Sequence, residues 1–253
     1  MKTFRTLFLV CFLPGSIFAQ SFGGLDNNKG DNAFTENTLL VFARYTTVSA
    51  KYTESYGGFT VNLRLRKDKY ERGEWCWRFE NSTLGDLIFL LFNMEEMDGR
   101  KTEQAFGNGF LGSHQFYGNL IATDRLLISP GFSMGDYIFA SKRENADSTG
   151  ARILDPAGYF LSVGPAFKIS YVITEKLWLD GYAYYDIGFQ VGKPSGEYNQ
   201  TKGYERPGFL SIGGDIHHAG TRLFAGARLM QMIDNGANKD SATRIDISFG
   251  YMF

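Results

Sequence analysis

The chain is poor in the devices that usually hold exported proteins together. It has two cysteines in 253 residues, Cys11 and Cys76, and Cys11 falls in an N-terminal stretch with the marks of a cleaved signal. What remains cannot form an intrachain disulfide. The formal net charge is -1, which gives no electrostatic case for nucleic acid or anionic lipid as a partner. No long apolar run is present: Leu7 to Leu13 is too short to span a bilayer, which takes roughly 20 residues as a helix, so no transmembrane helix is expected. Gly-rich phosphate loops, nucleophile elbows and metal-ligand clusters are also missing. No cofactor and no metal site are expected, and the chain does not read as an enzyme.

What is abundant is aromatic and glycine residues, at 16% and 30 copies, against only 6 prolines. The first twenty residues, "MKTFRTLFLVCFLPGSIFAQ", combine Lys2 and Arg5, an apolar stretch and small residues near Ala19. That order describes a secretory signal, cleaved after residue 19. "LFLVC" lacks the small residue expected just before a lipidated cysteine, which argues against acylation of Cys11. Residues 20–253 are then expected to form one domain, with no repeat and no linker.

Period-two alternation recurs after Thr38 and argues for strands. In "FTVNLRLRK", Phe59, Val61, Leu63 and Leu65 share one face while Asn62, Arg64 and Arg66 share the other. "EWCWRFE" sets Trp75, Trp77 and Phe79 against Cys76, Arg78 and Glu80. "YFLSVGPAFKISY" and "LWLDGYAYYDIGFQV" repeat the scheme over about twelve residues or more, against the usual five or six. Strands are expected near 38–48, 58–67, 74–81, 86–94, 111–122, 126–139, 158–172, 176–191, 208–217, 221–232 and 243–253. That makes eleven, whereas single-chain bacterial barrels have even numbers. Dividing 38–57 or adding an earlier strand gives twelve, the preferred count; treating "LGDLIFLLFNMEEMDG" as a short helix gives ten. Connections alternate in length. Tight turns at 122–125, 172–176 and 217–221 separate pairs joined by longer polar links, such as 140–157 and 192–207.

Short turns on one side and long loops on the other describe an all-β, antiparallel, up-and-down transmembrane β-barrel of the bacterial outer membrane. Strand lengths match the roughly 9–11 residues needed to cross hydrocarbon. Energetics decide the facing: Arg64, Arg66, Arg78, Glu80, Lys168, Asp180, Asp186, Asp215, Arg228 and Asp246 are too costly for a dry soluble core. They are expected in the lumen, where Trp178, Tyr182 and Tyr184 share their face and offer stacking and hydrogen-bonding surface to a small polar solute. The same side chains can instead fill and brace the interior. The last ten residues, "RIDISFGYMF", alternate to the C-terminus, as a stave that must pair with the first strand does.

The three histidines offer little chemistry. His217 and His218 are expected on a solvated turn, since adjacent side chains in extended chain diverge and cannot share a metal. Ser113 and His114 face opposite ways for the same reason, so they form no dyad without a bulge. Asp180 and Asp186 are roughly 20 Å apart along one strand, too far to share a proton. A structural ladder of ion pairs is the expected role of the carboxylates.

Phe249, Tyr251 and Phe253 resemble the C-terminal recognition signal that the barrel assembly machinery of Gram-negative bacteria reads. "WRFENSTLGDLIFLLFNMEEMDG", "KLWLDGYAYYD" and "GTRLFAGARLMQMIDNG" resemble strands of the nucleoside-specific outer-membrane channel superfamily. Asn93 stands where that pattern has an acidic residue, and "FGYMF" lacks its usual tryptophan. The resemblance implies a barrel of about twelve strands with a periplasmic C-terminus. The resulting expectation is an integral outer-membrane barrel, in contact with lipid, acting as a narrow passive channel or binding barrel for small solutes such as nucleosides. The alternative is a structural or adhesive barrel with a blocked lumen whose loops bind a partner; a barrel hydrolase is third.

Overall fold

The computed structural model describes residues 37–50, 53–69, 72–81, 102–143, 153–191, 206–233 and 241–253. The strands are β1 (Asn37–Ala50), β2 (Thr53–Lys67), β3 (Trp75–Asn81), β4 (Thr102–Gly118), β5 (Ile121–Ala122), β6 (Leu126–Arg143), β7 (Ile153–Thr174), β8 (Leu177–Gln190), β9 (Gly208–His218), β10 (Leu223–Ile233) and β11 (Ser241–Met252). Each pairs antiparallel with its sequence neighbour, apart from β4 and β5, which both lie against β6 and make one interrupted stave. β1 pairs with β11, from Leu40↔Met252 to Ala50↔Ala242, and closes the ring. Ten staves result, the smaller of the two counts the sequence allowed, and the preferred twelve is corrected. The division of 38–57 that would have added a strand is not seen among the described residues: β2, the strand expected at 58–67, begins at Thr53. The strand expected at 86–94 lies outside the described residues, and β3 pairs directly with β4 from Trp75↔Gly118 to Glu80↔Ser113, leaving no place between them.

Closure follows from backbone chemistry, because an open edge in hydrocarbon leaves a row of unpaired donors and acceptors. Phe253 takes part in it. Its N–H donates to Leu39 O at 2.8 Å, and its carbonyl accepts from Leu39 N–H at 3.2 Å.

The outer wall is apolar. Val163, Ile187, Ile212, Ile245 and Ile247 stand exposed along the middle of the staves, with Trp75, Tyr171, Tyr251 and Phe253 toward the end that carries the short turns. Ile247 and Phe249 are 58% and 59% exposed, while Asp246 and Ser248 between them are buried. A continuous greasy band with charges inside is the arrangement of a membrane-spanning barrel, the inverse of a soluble one. A groove of about 700 Å³ on this wall has Gly181, Gly214, Ala225 and Ala227 as its floor and Ile169, Leu179 and Ile216 beside them.

β4 carries the main irregularity. Its ladder with β6 jumps from Asn108↔Tyr137 to Ser113↔Gly135, so four residues of β4 oppose one of β6. Gly112 turns this bulge at φ +73, where a Cβ would lie 2.6 Å from Glu80 O. The freed backbone groups find side chains: Leu111 N–H donates to Asp136 at 2.8 Å, and the His114 ring nitrogen Nε2 lies 3.2 Å from Leu111 O. Asp136 falls in phase with the outward Phe132 and Met134, yet it is fully buried. Tyr159 OH donates to it at 2.6 Å. His114 packs on Phe79 with ring centroids 4.6 Å apart, while Ser113 points inward and accepts from Gln115 Nε2 at 2.5 Å. The bulge therefore does not bring Ser113 and His114 together.

Candidate functional site: the barrel interior

The inner face is built in layers. Toward the end carrying the long connections, Phe106, Tyr137, Phe160, Phe209, Met230 and Met232 form one apolar cluster. Toward the short-turn end, Leu40, Phe42, Val172, Trp178, Phe224 and Met252 form another. Charge lies between them. All the expected lumen residues, Arg64, Arg66, Arg78, Glu80, Lys168, Trp178, Asp180, Tyr182, Tyr184, Asp186, Asp215, Arg228 and Asp246, fall on this inner face and are at most 6% exposed. Strand parity puts them there, and the ten-stave circumference brings them into contact.

The central cluster gathers around three acids. Glu80 on β3 meets Arg44 from β1, Arg64 Nε at 3.0 Å, Arg228 Nη1 at 3.1 Å and Arg78 Nη2 at 4.0 Å. Asp215 on β9 pairs with Arg64 at 2.7 Å and Arg78 at 3.1 Å. Asp246 on β11 pairs with Arg228 at 2.6 Å and Arg244 at 2.8 Å, and accepts from Thr46 at 2.8 Å. A second cluster, nearer the short turns, joins Arg66 to Asp68 at 2.6 Å and Asp180 at 2.8 Å, and Lys168 to Asp68 at 2.6 Å. Asp186 stands apart. It accepts from Ser133, from Ser162 at 3.2 Å and from Tyr137 at 3.3 Å. The carboxylates Asp180 and Asp186 thus belong to different groups, as their spacing required.

The aromatic residues expected to stack on a solute stack on protein instead. Trp178 lies on His217 with centroids 4.9 Å apart at 12°, and the Arg78 guanidinium sits 4.1 Å over Tyr182. Tyr117, Tyr182 and Tyr184 pack with Cys76 and Ala166. His217 corrects the expectation of a solvated turn: it is fully buried, 3.1 Å from Asp180 and stacked between Trp178 and Phe224. His218 is the turn residue, its Nδ1 accepting Thr221 N–H at 3.1 Å. Among the described residues, no three His, Cys, Asp or Glu side chains converge as metal ligands do.

Arg44, Arg244, Asp68 and His217 complete the network and were missing from the expected set. Three of them carried a signal. Asp68 is in phase with Arg64 and Arg66, Arg244 with Asp246, and His217 with Asp215. Arg44 was obscured because its inward neighbours Leu40 and Phe42 are apolar, against the polar-in rule.

A water-filled lumen would give its lining side chains solvent exposure. Here the described inward side chains at mid-barrel are buried and tied across the ring, with an apolar cluster toward each end. Cys76 illustrates the packing: its thiol donates toward Asn119 Oδ1 at 3.3 Å and Lys69 O at 3.2 Å, and it is 1% exposed. A membrane-permeant maleimide is expected to leave Cys76 unmodified in the folded barrel and to label it after boiling in detergent, read by mass shift.

The chain is therefore a closed, antiparallel, membrane-spanning barrel whose described inward side chains at mid-barrel are buried. No protein-family model matches it, and no curated protein matches it. Solved structures similar to it include the translocator domain of the autotransporter NalP from Neisseria meningitidis, at 12% identity, covering 98% of each chain with a TM-score of 0.37. Another is Ail, the attachment invasion locus protein of Yersinia pestis, in complex with the heparin analogue sucrose octasulfate, at 13% identity over 86% of this chain and 97% of that one, TM-score 0.32. A third is the toluene transporter TodX of Pseudomonas putida, at 9% identity over 92% and 96%, TM-score 0.29. The fold assignment stands on this chain's own ladders and outer wall.

Proposed function

We propose that the protein is a non-enzymatic, filled barrel of the bacterial outer membrane that serves as a rigid scaffold. Its C-terminus faces the periplasm, and the connections at the opposite end bind a surface partner. The observation that carries this reading is the interior, whose described inward side chains are buried and held in ion pairs and apolar clusters. The greasy outer band and the contrast between short turns and long polar connections support the membrane placement. The loop sequences "ENADSTGAR" (144–152) and "GKPSGEYNQTKGYE" (192–205) are polar and carry both charge signs, as exposed binding segments do.

Planar-bilayer recording is expected to show no steady conductance from the purified, folded chain; a reproducible open channel would overturn the filled-barrel reading. Cells displaying the full chain are expected to adhere to one or more members of a panel of immobilised polysaccharides and extracellular proteins. A chain lacking 145–151 and 193–204 should lose that adhesion while keeping the heat-modifiable gel mobility of a folded barrel. Adhesion unchanged by the deletions counts against a loop-borne partner.

A further inference from the structure

The central cluster does not balance. Arg44, Arg64, Arg78 and Arg228 share Glu80, Asp215 and Asp246, and Arg244 also draws on Asp246. With Arg244 counted, five guanidiniums against three carboxylates leave two positive charges. The second cluster is neutral on its own, with Arg66 and Lys168 against Asp68 and Asp180. Asp186 does not reach the centre; its hydrogen bonds are all to hydroxyls. An uncompensated guanidinium held away from water is costly, and it attracts a counter-ion.

The surplus has an address. Arg44 gives one amino group to Glu80, but its Nε and Nη1 are buried with no hydrogen-bond acceptor among the described residues, Nε lying 3.7 Å from Asp246. Asn62 Oδ1 is buried without a donor in the same region, one register step from Arg44 on the facing strand, where Arg44 opposes Thr60 and Phe42 opposes Asn62. Arg44 and Arg64 both lie 5.2 Å from the Phe42 ring, so two cations flank one aromatic residue. The surroundings are tight: Arg44, Thr60, Asn62, Arg64 and Ser248 are at most 6% exposed.

We infer that the barrel centre binds one small inorganic anion of the chloride class, held by the free Nε and Nη1 donors of Arg44. The ion offsets part of that surplus and acts as a structural ligand. This inference rests on the barrel interior and is independent of what the loops bind.

The test is urea unfolding of the full chain in detergent, in a gluconate buffer free of phosphate and sulfate, with sodium chloride replacing sodium gluconate at constant ionic strength. Gluconate serves as the bulkier reference anion. Chloride is expected to raise the unfolding midpoint. At a hundred times its half-effect concentration it should lower the unfolding equilibrium constant about a hundredfold. Two variants remove the need for the ion by different routes: Arg44→Gln deletes one surplus cation, and Asn62→Asp supplies a fixed carboxylate beside it. Both are expected to lose the chloride dependence, and Asn62→Asp in gluconate should match or exceed the wild type in gluconate. A wild-type midpoint indifferent to chloride, or an undiminished response in a folded Asn62→Asp barrel, overturns the inference.

Discussion

Replacing Glu80 with glutamine is expected to destabilise the folded barrel by about 3–5 kcal/mol, the usual loss when one partner of a buried ionic group is removed. The expectation is at the high end because the acid serves four arginines from four different staves, β1, β2, β3 and β10. Glutamine keeps the shape and one acceptor, so the loss reports charge rather than packing. Asp215 and Asp246 cannot take over, since each already meets at least two arginines. Urea unfolding followed by loss of heat-modifiable mobility measures the effect. A midpoint equal to wild type would show that the arginines find their counter-charge elsewhere. The paired variant Glu80→Gln with Arg44→Gln is expected to recover part of the loss, because it removes one of the stranded cations.

Deleting Phe253 is expected to reduce the assembled fraction several-fold. The residue makes both terminal hydrogen bonds of the β1–β11 seam, to Leu39 N–H and Leu39 O, and packs edge-on against Tyr251 at 4.9 Å. Two such hydrogen bonds contribute roughly 0.5–1.5 kcal/mol each, and the ring pair about 0.5–1.5 kcal/mol. Deletion also leaves the charge of the new C-terminus at the foot of the seam, where β1 and β11 must meet. The ratio of folded to unfolded bands in isolated membranes is the measure. Substituting Phe253 with leucine separates two roles. It preserves the backbone bonds, so normal assembly of that variant beside failure of the deletion assigns the effect to closure rather than to recognition of an aromatic terminus. Equal assembly of deletion and full chain would rule out both.

The facing of each stave was legible in the sequence because parity is a local property. Ile245, Ile247, Phe249 and Tyr251 read outward, and Asp246 and Ser248 inward, from their spacing alone. What parity does not encode is how far a side chain reaches across the ring. Arg78 meeting Tyr182, or Arg64 meeting Asp215, depends on the number of staves. That number was obscured where "DLIFLLFN" has no period of its own. The packing of the inward aromatics was unreadable for the same reason: Trp178 and Tyr182 look alike in sequence whether they await a solute or pack on His217 and Arg78. His217 itself was misread by weighting the turn signal of "HHAGT" over its phase with Asp215. The bulge that hides Asp136 also escaped, since Gly109 and Gly112 read as ordinary strand glycines until the four-against-one register is seen.

The ion pairs also have a consequence for how the barrel is assembled. Sliding one stave by two residues against its neighbour preserves the in-out alternation and the greasy wall, so the membrane cannot tell the slipped ring from the correct one. The interior can. Arg228 stands directly opposite Asp246, and Arg64 directly opposite Glu80. At the β10–β11 ladder a two-residue slip puts Ser248 or Arg244 opposite Arg228, and Met230 or Gly226 opposite Asp246. At that seam hydrophobicity selects which face turns outward, and the Arg228–Asp246 pair distinguishes the native alignment from equally greasy ones.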